Sequence, residues 1–181
     1  TGQNNVALGK DALGANTTAN NNTAIGHATL FDNTTGAHNT ALGTDALANN
    51  TTADNNTALG RSALVANTTG TQNTSVGAYS LDANTTGGQN TAMGEASLGA
   101  NTTASNNTGI GFHALKVNTT GTQNVAVGAL CLDAVTTGND NTAVGEQTAS
   151  SLTTGSRNAC FGKAAGYEIT TGGNNVLIGD D

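Results

Sequence analysis

The groups in this chain able to do acid–base, nucleophilic or metal chemistry are three histidines, two cysteines and twelve acidic side chains. Such chemistry needs these groups to converge at fixed spacing. They do not. The chain is written in a 17-residue repeat, and His27, His38 and His113 occupy its sixth, seventeenth and seventh places in different copies. A pair such as His27 and Asp11 has no ligand spacing. Cys131 stands at the eighth place and Cys160 at the third, two copies apart, so a disulfide between them is not expected. No G-x-G-x-x-G or P-loop opens a helix, and the calcium-binding G-G-x-G-x-D nonapeptide is missing. No catalytic residue, cofactor or metal site is expected, and the chain is not expected to be an enzyme. The acidic pair Asp180-Asp181 reads as the frayed end of a fragment.

The frame around these residues is the stronger signal. The pentamer N-x-x-φ-G, with φ large and apolar, begins at residues 5, 22, 39, 56, 73, 90, 107, 124, 141, 158 and 175. No insertion or deletion breaks the interval. The consensus is N-T-A-φ-G-x-x-A-L-x-x-N-T-T-G-x-x, and its positions are called places 1 to 17 below. Residues 1–181 read as a single repeat array. It starts and stops within a repeat, so it is expected to be a window on a longer fibre.

A 17-residue unit cannot bury a face alone, but stacked copies can. The fold expected is all-β, a parallel β-solenoid with one repeat per coil and about ten coils. Recurrent Gly, Asn and Thr-Thr pairs disfavour helix, and Thr, Val and Ile favour strand. The T-A-φ and A-L-x stretches are the expected strands. Like side chains then form columns about 4.7–4.9 Å apart along the axis. The expected ladders are Asn22, Asn39 and Asn56 at place 1, and Thr34 with Thr51 and Thr35 with Thr52 at places 13 and 14. Leu30, Leu47 and Leu64 follow at place 9. Gly26, Gly43 and Gly60 at place 5 suggest a turn needing φ > 0 or a close backbone approach. Places 4, 9 and 12 are expected to face inward. Place 12 turns from Asn to Val135, Leu152 and Ile169, and place 9 shrinks to Ala149 and Gly166 in the last two of those copies, which reads as volume compensation in one interior. The sequons at Asn33 and its equivalents would then be buried. Places 6, 7, 10, 16 and 17 carry most of the variation and should point outward.

Composition narrows function. Thr (33), Asn (26) and Gly (25) make up 84 of 181 residues, and aromatics are only 3%, so an ordinary globular core is excluded. No apolar run approaches the roughly 20 residues of a membrane span. Five basic residues form no patch, so neither nucleic acid nor an anionic membrane is an expected partner. Two or three large side chains per coil make a thin core, which points to association of chains as added support.

The repeat resembles those of fibre-forming bacteriophage proteins and bacterial surface proteins, in which such arrays often precede a self-cleaving chaperone domain of the endosialidase-tailspike type. The closing stretch from Ile169 to Gly179 is similar to the way those arrays approach their end. The N-T-A-I-G core at Asn22–Gly26 is also similar to the N-S-V-A-I-G element of trimeric autotransporter adhesin heads, which are trimeric β-rolls. The resemblance implies an extracellular location, on a virion tail fibre or a bacterial cell surface. It also implies self-association, as a homotrimer or end to end. The function expected is a shaft that positions a host- or surface-binding tip. Two alternatives stand beside it: direct adhesion to a host glycan or receptor, and ice binding by the Thr ladders. Because the two Thr are adjacent, only one can face outward on a flat strand.

Overall fold

A computed structural model describes residues 2–180; Thr1 and Asp181, and with them the terminal acidic pair as a pair, lie outside the described residues. Eleven three-residue strands recur, one per repeat: β1 (Val6–Leu8), β2 (Thr23–Ile25), β3 (Thr40–Leu42), β4 (Thr57–Leu59), β5 (Thr74–Val76), β6 (Thr91–Met93), β7 (Thr108–Ile110), β8 (Val125–Val127), β9 (Thr142–Val144), β10 (Ala159–Phe161) and β11 (Val176–Ile178). They form one parallel sheet in sequence order, and each residue pairs with the residue 17 further on. The fold is a β-solenoid of about ten turns, with no helix among the described residues.

Each coil binds its neighbours through backbone amides. At place 2, Thr23 N–H donates to Asn39 C=O (2.9 Å); at place 5, Gly26 N–H donates back to Leu8 C=O (2.8 Å). At place 13, Thr34 N–H donates to Thr51 C=O (3.0 Å). A coil therefore satisfies in its neighbours the groups it cannot satisfy in itself.

The A-L-x stretch departs from expectation. It is a turn, not a strand, because places 7 and 9 are left-handed. Leu30, Leu47 and Leu64 have φ of 50°, 52° and 54°. This conformation costs an L-residue about 1–2 kcal/mol. Two things offset the cost. The side chains are fully buried, a gain of about 1.5–3 kcal/mol for a Leu. The turn also aims successive amides in opposite axial directions: Asp45 N–H at place 7 reaches back to His27 C=O (3.0 Å), and Leu47 N–H at place 9 reaches forward to Ala63 C=O (3.0 Å).

Place 5 meets both demands inferred for it. Gly26 and Gly43 have φ of 134° and 130°, and a Cβ on Gly43 would lie 2.6 Å from Gly60 O in the next coil. No side chain fits between those coils.

The interior also differs from expectation at one column. Place 4 does not face inward. The buried strand position is place 3, small in ten of the eleven strands: Ala24, Ala41 and Ala58, then Ser75, Gly109 and Cys160 among others. Place 4 points out, with Leu42, Met93 and Phe161 all more than 40% exposed. The cause is alternation. Asn at place 1 is buried, so a pleated chain turns place 3 in and places 2 and 4 out. The core is therefore the Leu column of place 9, with small residues of places 3 and 8 packed around it.

Candidate functional surface

The interior columns are structural and polar as well as apolar. Asn22, Asn39 and Asn56 are fully buried, and each Oδ1 accepts the backbone N–H of the next Asn, as in Asn39 N–H to Asn22 Oδ1 (2.9 Å) and Asn56 N–H to Asn39 Oδ1 (2.9 Å). Each Nδ2 donates across the coil to the place-15 carbonyl: Gly36 (2.9 Å), Ala53 (2.8 Å) and Gly70 (2.9 Å). A second Asn column at place 12 shares those acceptors. Asn50 Nδ2 donates both to Asn33 Oδ1 (2.9 Å) and to Ala53 O (3.0 Å). Asn33, Asn50, Asn67, Asn84, Asn101 and Asn118 are buried in this ladder, which removes those sequons from solvent.

The two Thr columns divide their work. The place-13 hydroxyls are used internally: Thr34 Oγ1–H donates to Thr51 C=O (3.1 Å), and Thr51 Oγ1–H to Thr68 C=O (3.1 Å). Thr35 and Thr52, like every place-14 Thr, are exposed. The rod thus presents one open row of Thr, ten coils long.

The groups able to do chemistry remain apart. His27 lies 3.8 Å from Asp45, both on the surface, and His113 stacks on Phe112 with ring centroids 3.7 Å apart. Among the described residues no group of three or more His, Cys, Asp or Glu converges on a point that could hold a metal ion. Cys131 and Cys160 are free, buried thiols. Burial pushes the Cys131 thiol up to about 12, and its S–H donates to Ala143 O (3.3 Å). Burial likewise raises Cys160. Neither is a ready nucleophile, since the thiolate is the reactive form. Burial also holds the Asp82 and Asp133 carboxyls above their ordinary value.

The outward face of the sheet was not foreseen. It consists of places 2 and 4 of all eleven strands, and none of these 22 residues is charged. Place 2 is Thr in seven strands; place 4 is always Leu, Ile, Val, Met or Phe. Nine of the thirteen exposed large apolar side chains of the described residues lie here. Charges gather beside the face, at places 6 and 7, where Lys163 pairs with Glu146 (3.6 Å) and the Arg61 guanidinium lies over Tyr79 (5.1 Å). The sequence carried a hint in the small residues of place 3, but the inward turn of the place-1 Asn, which sets the parity of the strand, is seen only in the folded coil.

No described helix is long and apolar enough to cross a membrane. No known family, curated protein or solved structure matches the chain.

Proposed function

We propose that this chain is a structural shaft segment of an extracellular fibre, on a virion tail or a bacterial surface, that holds a host- or surface-binding tip away from its anchor. It works as a self-associated rod, in the trimeric form its repeat suggests. The observation that carries this reading is the unvarying 17-residue step from β1 to β11. With strands added in sequence order and no insertion, each repeat lengthens the rod by about 4.7–4.9 Å and leaves its cross-section unchanged. Such a design sets distance. Small-angle scattering of the purified chain should report a rod of roughly 50 Å per ten coils. Deletion of residues 56–89, two whole coils, should shorten it by about 10 Å with no change in cross-section. A compact particle, or one whose cross-section changes on deletion, would overturn the shaft.

The exposed place-14 row supports a second reading, ice binding. It requires thermal hysteresis from the isolated chain, and its absence would dispose of that reading. The exposed Phe112 ring, stacked on the half-buried His113, supports the third, direct glycan adhesion, which requires glycan-array binding by this segment without a tip.

A further inference from the structure

We infer that the uncharged sheet face formed by places 2 and 4 is the surface through which copies of this chain associate side by side. The inference rests on the shaft reading and adds to it the surface through which the copies meet. Four observations lead there.

Place 4 is outward, yet all eleven copies keep a large apolar side chain there. A position facing only water has no reason to exclude polar residues eleven times. At the other variable outward places the chain does admit charge: Lys10 at place 6, Asp45 at place 7, Lys116 at place 10, Glu168 at place 11, Asp54 at place 16 and Arg157 at place 17.

The face is also periodic. Its side chains repeat every coil, about 4.7–4.9 Å, over ten intervals. A partner can seat against every rung only if it has the same period, and a second copy of this chain has it.

The charge pattern fits like meeting like. Each copy carries a net charge of −7. On a surface that packs against its own kind, a charge risks facing itself, and this face bears none.

The area is sufficient. A strip roughly 50 Å long and about 10 Å wide, three residues at about 3.3 Å each, covers about 500 Å² on each copy, or about 1,000 Å² for a pair, the size at which a specific interface begins.

The test is solution mass by sedimentation equilibrium, with fold monitored by circular dichroism. Wild type should sediment as a whole-number oligomer. Leu59→Lys with Met93→Lys should weaken association at least 100-fold and leave the spectrum unchanged. Thr69→Lys with Thr103→Lys, on the exposed place-14 row, should leave the mass unchanged. If the Lys pair fails to fold, Leu59→Thr with Met93→Thr reads the same loss with residues suited to strands. A monomeric wild type at its highest soluble concentration would overturn the inference, as would face variants that keep the wild-type mass or place-14 variants that lose it. A monomer that still scatters as a rod would sink this interface and leave the shaft standing; a monomer without rod dimensions would sink both.

Discussion

The coils from Asn33 to Asn118 and those from Val135 onward solve the same packing problem with opposite chemistry. In the first stretch place 12 is a buried Asn, and from Asn50 to Asn118 each Nδ2 bridges to the Oδ1 of the preceding Asn and to a place-15 carbonyl. In the second, Val135, Leu152 and Ile169 replace it, and Val135 and Leu152 are fully buried. The place-15 carbonyls of those coils keep their other donor: Asn124 Nδ2 to Gly138 O (2.8 Å) and Asn141 Nδ2 to Gly155 O (2.9 Å). The exchange is possible because each acceptor had two donors and loses one. The junction shows its cost. Asn118 Oδ1 should receive the amide of the next rung, but the next rung is Val135, and this oxygen is the one buried side-chain polar atom without a hydrogen-bond partner among the described residues. A polar ladder needs its next copy, whereas an apolar column can begin or end at any coil.

The comparison can be broken most sharply at Leu152. Leu152→Asn should destabilise by about 4 kcal/mol: it removes a buried Leu beside the already small Ala149 and leaves an amide oxygen with no following Asn. Chemical denaturation of the variant and loss of hydrogen-exchange protection in β9 and β10 would measure this. A cost below about 1 kcal/mol would mean that the two columns are interchangeable.

Asn67→Ala tests the ladder from the other side. It removes donors to Asn50 Oδ1 and Gly70 O and the acceptor for Asn84 Nδ2, all at 2.9 Å. A loss of about 3 kcal/mol is expected. Exchange should rise in the neighbouring coils on both sides, since stacked repeats are coupled mainly to their neighbours.

Val135→Asn should cost only about 1 kcal/mol, because the new amide completes Asn118 and extends the ladder by one rung while apolar burial falls. Thermal unfolding that places this variant level with Leu152→Asn would refute the junction account.

The smallest effect belongs to the half-buried carboxyls. Asp82 and Asp133 are held above an ordinary value of 3.8, chiefly by burial. Between the unfolded and folded pKa the native state holds more protons than the unfolded state. Stability therefore falls as pH rises through that window, and the loss is complete above the folded pKa. Asp82→Asn and Asp133→Asn should each raise the melting temperature slightly at neutral pH, and the difference should vanish below the unfolded pKa. A variant that melts lower at neutral pH would show the carboxylate to be stabilising instead.

Much of the fold is legible in the sequence, and specific residues show why. An uninterrupted step between Asn5 and Asn175 leaves stacking as the way for so short a unit to bury anything. The switch from Asn118 to Val135 marks an interior column, because a surface column would not trade an amide for an aliphatic side chain while place 9 shrinks from the next copy on. The structure accords with that trade: a Cβ on Gly166 would come within 3.2–3.7 Å of Cys160 Sγ, Ile169 Cδ1 and Leu177 Cδ1. The left-handed turn was not legible, since Leu has no preference for φ near 50° and adopts it only where burial and two-way amide bonding hold it.

The residue types and their spacing alone settle that copies stack in register, that Asn and Leu columns run through the interior, and that place 5 must be glycine. Only the folded coil decides which side of the strand faces out. Hydrophobicity names φ as a core residue, but a cross-section closed by the Leu of one turn and the Asn of two others has room beside them for Ala and little more. The strand therefore turns its small residue inward and leaves its large one on the surface.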